Sequence, residues 1–226
     1  MTKTRTKPRT QTQEEMCALD EETSRPKRFH ALIENTRQVC EALGQNTDPK
    51  DYLYGPRAWT LDTGVMETVL PFTFWKRLGT QGLEAFEAGA HISDYTPFVG
   101  LGAQAAQRLL EILPEGAHKD TQNFGPQLGE LLSIVAAHPG TVGVSGYIIG
   151  PQRVDERLSV ETLIVIGYPE VLAQSGDENP GVVDAMAWME IKTGLGIVTE
   201  VSMPDEIWVA PCPWDPESLA WHLWWD

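Results

Sequence analysis

The chain has 226 residues, 42% of them apolar and 22% charged, with a net charge of -15. That is enough apolar material for one generous domain with a real core, and the composition is that of a globular protein rather than a disordered one. No apolar run approaches the roughly 20 residues that a membrane-crossing helix needs, and the acidic surface disfavours ordinary nucleic-acid binding by the body of the protein.

The charge is unevenly spread. Residues 1–28 carry seven Lys/Arg (Lys3, Arg5, Lys7, Arg9, Arg25, Lys27 and Arg28) against five acids. From Leu158 onward Lys192 is the only Lys or Arg among 12 acids. A surface of this kind attracts basic partners, although net charge also serves plain solubility. Cys17, Cys40 and Cys212 are widely spaced and odd in number, which argues against a disulfide framework and a zinc ribbon. The N-terminus is basic but has no apolar h-region, so no secretory signal is expected and a reducing cytoplasm is the expected compartment.

In chain order, residues 1–23 read as a flexible basic/acidic tail, in which nucleic-acid contact is possible. Residues 24–226 read as a single α+β domain, with a helical subdomain over 24–120 as the alternative. Phe29, Leu32, Ile33, Thr36, Val39, Cys40 and Leu43 fall at helical spacing, with Ser24 able to cap the helix and Gly44 to end it. Cys40 on that stripe reads as a core thiol. "NTDPKDYLYGPR" reads as a loop. "AWTLDTGVMETVLPF" predicts two short strands turning at Asp62, Thr63 and Gly64. A glycine-broken helix is expected in "FWKRLGTQGLEAFEAG". Another is expected to start at Pro97 and stop before Pro114, and a third to bury Leu128, Leu131, Leu132 and Val135.

Two strands follow, "TVGVSGYII" and "LSVETLIVI". Their apolar alternation predicts a hairpin over residues 141–166 in which Ile148 faces Leu158 and Val142 faces Ile164. "GPQRVDER" is then its connection, self-neutralising through Arg153, Asp155, Glu156 and Arg157, and reads as structural or partner-contacting rather than catalytic. Residues 169–180 form a polar loop. A helix with Val183, Met186, Ala187 and Ile191 inward comes next, then the strand "EIWVA" and a terminal strand in "SLAWHLWWD". Helices crowd the first two-thirds and strands the last third. This order predicts an α+β fold: an antiparallel sheet built around the 141–166 hairpin, packed by several helices.

Several stretches invite chemistry. "GLGAQA" matches G-x-G-x-x-A, but "DYTPF" before it, with Pro97, makes a poor strand for a dinucleotide fingerprint. His91, Asp94 and Tyr95 form an alternative acid–base cluster; Asp94 or Thr96 is as well suited to capping the next helix. His138 is placed to bind the end of a helix. "SGDENPG" lacks the spaced ligands and closing Glu of a calcium loop. No metal and no cofactor is expected.

Five of the eight tryptophans, Trp208, Trp214, Trp221, Trp224 and Trp225, lie after residue 207, with Asp205, Glu206, Asp215 and Glu217 among them. Such residues either close a core or anchor a partner. The resulting expectation is a non-enzymatic acidic interaction module binding a basic protein, of the inhibitor, immunity or nucleic-acid-mimic type. The alternatives are a carboxylate/His or metal-dependent hydrolase, and a small-molecule or sugar binder using the C-terminal tryptophans.

Overall fold

The computed structural model describes residues 29–43, 53–73, 91–167 and 180–226. The tail, the caps Ser24 and Gly44, the helix expected within 74–90 and the polar loop at 169–179 lie outside the described residues. Helix α1 covers residues 29–42 and buries Leu32, Thr36 and Cys40, one residue per helical turn. Thr36 Oγ1 donates to Leu32 O at 2.7 Å and accepts from Ile92 N at 2.8 Å, which ties α1 to the segment entering the sheet. Burial pushes the Cys40 thiol above its ordinary value, as suits a core residue.

Residues 59–62 and 65–72 are helical, not the two strands expected to turn at Asp62, Thr63 and Gly64. Helices α2 (Trp59–Asp62) and α3 (Val65–Val69) run into a single 3-10 turn at Leu70–Phe72. Leu61, Val65 and Val69 repeat every four residues and all are buried, as are Met66 and Leu70. The adjacent pairs Val65/Met66 and Val69/Leu70, four residues apart, would lie on opposite faces of a strand but share one helical face.

The sheet has five strands in the order β1-β2-β3-β5-β4, all antiparallel. They are β1 (Tyr95–Leu101), β2 (Val142–Ile149), β3 (Arg157–Ile166), β4 (Glu206–Cys212) and β5 (Asp215–Trp224). Between β1 and β2 lie α4 (Ala103–Ile112), α5 (Glu115–His118) and α6 (Leu128–Ala137); α7 (Pro180–Leu195) follows β3. The fold is α+β, with several helices against this sheet.

Strand β1 replaces the helix expected from Pro97. Gly150 N donates to Asp94 O at 2.8 Å, and Tyr95 pairs with Ile149, so residues 94, 96 and 98 bond to β2. Pro97 therefore faces away from β2, on the side where Thr73 bridges to Phe98, and its missing N–H breaks no bond to β2. A strand does precede "GLGAQA". However, β2 returns antiparallel, so no parallel βαβ unit of the dinucleotide-binding kind is formed. Gly100, at φ 70°, is where β1 loses register, and a Cβ there would lie 3.1 Å from the Trp214 ring.

The hairpin keeps the expected register only halfway. Ile148 pairs with Leu158 and Gly146 with Val160, but Ser145 pairs with Thr162, leaving Glu161 as an extra residue. Val142 consequently faces Val165, not Ile164. The β-bulge changes which residues share a face. Leu163 and Val165 join Leu158 and Val160 in the main core, while Ile164 and Ile166 move to a small second cluster on the outer face with Cys212, Ala220 and Trp214.

Helix α6 buries Leu128, Leu131, Leu132 and Val135, and His138 Nδ1 meets Ile134 O at 2.8 Å at its end. In α7 the expected Val183 side chain lies outside the described residues; among those described Ala187, Trp188, Ile191 and Leu195 are buried, while Met186 is half exposed, contrary to expectation. Trp188, not expected inward, packs edge-on against Trp225 with ring centroids 5.7 Å apart. One apolar cluster runs from Leu32 to Trp225 and binds α1 to the last strand.

Candidate interaction surface

The C-terminal tryptophans divide by strand parity. Trp221 pairs with Val165 and faces the core, as does Trp225 just beyond the strand; they are 4% and 1% exposed. His222 and Trp224 fall on the opposite, outer face, and Trp208 on β4 sits across from His222. The Trp208 and His222 rings stack with centroids 5.2 Å apart and planes 15° from parallel, and Trp208 remains 39% exposed. Trp224 is half-buried between its neighbours Thr162 and Glu206. Trp214, in the β4–β5 turn, donates from Nε1 to Gly140 O at 3.0 Å. It lies over Gly143, where a Cβ would come within 2.6 Å of the ring, so only glycine permits this closure.

His222 is nearly buried. Burial pushes its imidazole below the ordinary value, against an opposing pull from the Pro211 backbone. Its Nε2 has no hydrogen-bond partner among the described residues. The acids lie around this ribbon. Asp205 and Glu206 are exposed at the start of β4, and Asp205 Oδ2 accepts from Asp226 N at 2.9 Å. Burial, with Asp226 nearby, pushes the half-buried Glu161 carboxyl above its usual range. Asp215 and Glu217 are exposed at the turn end, where Ser218 donates to Asp215. From residue 193 to the end there are six acids and no Lys or Arg.

His91, Asp94 and Tyr95 lie at the opposite edge of the sheet. All three are exposed, His91 and Asp94 are not hydrogen-bonded to each other, and Tyr95 packs on Tyr147 with centroids 5.0 Å apart. Among the described residues no group of three or more His, Cys, Asp or Glu is arranged to hold a metal ion. Nor is any helix among them long and apolar enough to cross a membrane.

The connection "GPQRVDER" contains a buried carboxylate that its charge pattern conceals. Glu156 is 1% exposed. It accepts from Ala58 N and Thr60 N, each at 2.8 Å, and from Thr60 Oγ1 at 2.5 Å. Its backbone oxygen accepts from Trp59 Nε1 at 3.2 Å. Glu156 thus satisfies the free amides at the start of α2 from across the fold, the task of a capping residue. Burial leaves its carboxyl above the ordinary carboxylate range, although hydrogen bonds from Thr60 and from the backbone of Ala58 and Trp59 oppose the rise. Around it Arg153 grips Asp155 with two bonds of 2.8 Å, and Arg57 donates to Gln152 O at 2.7 Å. This loop joins the hairpin to α2 and uses its charges internally. No pattern in the sequence distinguishes Glu156 from its solvated neighbours, because the amides it meets lie about a hundred residues away.

Compared with protein-family models, curated proteins and solved structures, the chain matches none.

Proposed function

We propose that this protein is an acidic interaction module that engages a basic protein partner through the outer face of the β4–β5 ribbon. The observation that carries this reading is the exposed Trp208, stacked on His222 beside Glu206, in a segment with no Lys or Arg after Lys192. Trp208 offers a large apolar surface at little entropic cost, and the stack holds it in place before any partner arrives. The surrounding acids add steering, which acts on the association rate more than on final affinity.

The test is affinity capture on immobilised full-length protein at low and high salt, with Trp208→Ala and Glu206→Gln compared against wild type. A basic partner captured at low salt should associate more slowly as ionic strength rises past the Debye regime of about 0.1 M. Each substitution should weaken its capture. Partners that bind equally well to both variants, or that residues 1–28 alone retain, overturn the reading. The hydrolase alternative would draw on His91 and Asp94, at the far edge of the sheet, and alanine at His91 should leave partner capture unchanged.

A further inference from the structure

Among the described residues strand β4 ends the sheet, and none of them pairs with the outer side of its backbone. Trp225 N donates to Glu161 O at 3.0 Å on the β3 side, while Trp224 O accepts from Asp205 N at 2.8 Å on the β4 side. Residues of an antiparallel strand direct their N–H and C=O groups alternately to the two neighbours. On β5 the even residues 220, 222 and 224 therefore bond to β4, through their partners 210, 208 and 206. Ile207 and Val209 then aim their backbone groups away from β5.

Pro211 falls at an outward position, where its missing N–H breaks no ladder bond. Proline and the register shift beside it guard the far end of β4. Ile207 and Val209 have no such guard, and Val209 is 41% exposed. At the other edge of the sheet, Thr73 bridges to Phe98 on β1, so that edge is partly covered.

We infer that β4 takes up an extended, lysine- or arginine-bearing segment of the partner as a sixth strand, bonded to Ile207 and Val209. This rests on the interaction reading above and specifies how the partner is held. A basic occupant follows from charge. Asp205 and Glu206 flank the free edge, no Lys or Arg lies in this part of the chain, and Trp208 presents a ring face to a neighbouring cation. A second copy of the chain would bring the same acids and another -15 of net charge to the edge.

The test uses full-length protein and three synthetic peptides: an octapeptide alternating Val and Lys, its twin with alternate backbone amides N-methylated along one edge, and an octapeptide alternating Val and Glu. NMR follows the Ile207 and Val209 amides and the Trp208 indole. The Val/Lys peptide should shift these signals and protect both amides from hydrogen exchange. The methylated twin should bind about tenfold more weakly or worse, since two strand bonds are lost. Val209→Pro removes an outward donor without touching the β5 ladder and should weaken binding similarly; the methylated peptide makes the same comparison should that variant not fold. Equal binding of the methylated twin overturns strand addition while leaving an acidic binding face intact. Binding of the Val/Glu peptide as strong as that of Val/Lys, or self-association of the chain through β4, overturns the basic occupant. No shift with any peptide at millimolar concentration overturns the inference, whereas the interaction reading stands or falls on the capture experiment.

Discussion

Trp208 and Trp221 are chemically identical and opposite in role, because thirteen residues and a strand reversal place them on different faces of one sheet. Trp221→Ala should cost about 3–5 kcal/mol, the range for emptying a buried aromatic site. Trp208→Ala should cost about 1 kcal/mol or less, since much of the ring already meets water. Urea denaturation of both variants checks this, and equal losses would contradict the division into faces. His222 gives a pH dependence. Its folded pKa lies below the unfolded value of about 6.5, so the folded state favours the neutral ring. Its contribution is fully present above that unfolded value and is lost as pH falls through the lower folded value. The melting temperature should therefore fall between neutral pH and mildly acidic pH. His222→Phe keeps a ring against Trp208 and removes the proton site, so its melting temperature should depend less steeply on pH over the same range. Equal slopes for the two proteins would remove His222 as the cause. None of this was legible at the level of residue type: a row of tryptophans in sequence does not say which face each will take until the partner strand is known.

At the scale of elements, Glu156 shows how one side chain couples two of them. Removing it leaves Ala58 N, Thr60 N and Thr60 Oγ1 without their acceptor in a buried place, so Glu156→Ala should cost about 3 kcal/mol and loosen α2 first. Denaturation, with hydrogen exchange at Thr60 as the local readout, checks both parts. A loss below about 0.5 kcal/mol, the scale of an ordinary surface change, would mean that the carboxylate does not anchor α2. The sequence reads α6 and the turn half of the hairpin well, because Leu128, Leu131, Leu132 and Val135 on one helix, and Ile148 opposite Leu158, follow their periods up to the bulge at Glu161. It misreads α2 and α3, where the turn residues Asp62, Thr63 and Gly64 suggested two strands and the adjacent apolar pairs Val65/Met66 and Val69/Leu70, four residues apart, were the better guide. It misreads β1 because Pro97 disfavours a strand in general, yet not at an outward position on an edge.

Across the whole molecule, the charge asymmetry links composition to the proposed activity. The charge belongs to the chain and can be counted in it; the surface that uses it is assembled by pairing β4 and β5 beside β3. By itself the sequence determined the α+β class, the central hairpin, the terminal strands and the late excess of acids, because each depends on local periodicity or on simple counting. Only the tertiary structure decided that a bulge at Glu161 exchanges the two faces of β3, that Trp221 and Trp225 are core while Trp208 is surface, and that Glu156 serves α2. Those outcomes depend on a one-residue register shift, and on contacts between residues far apart in the chain, neither of which local spacing encodes.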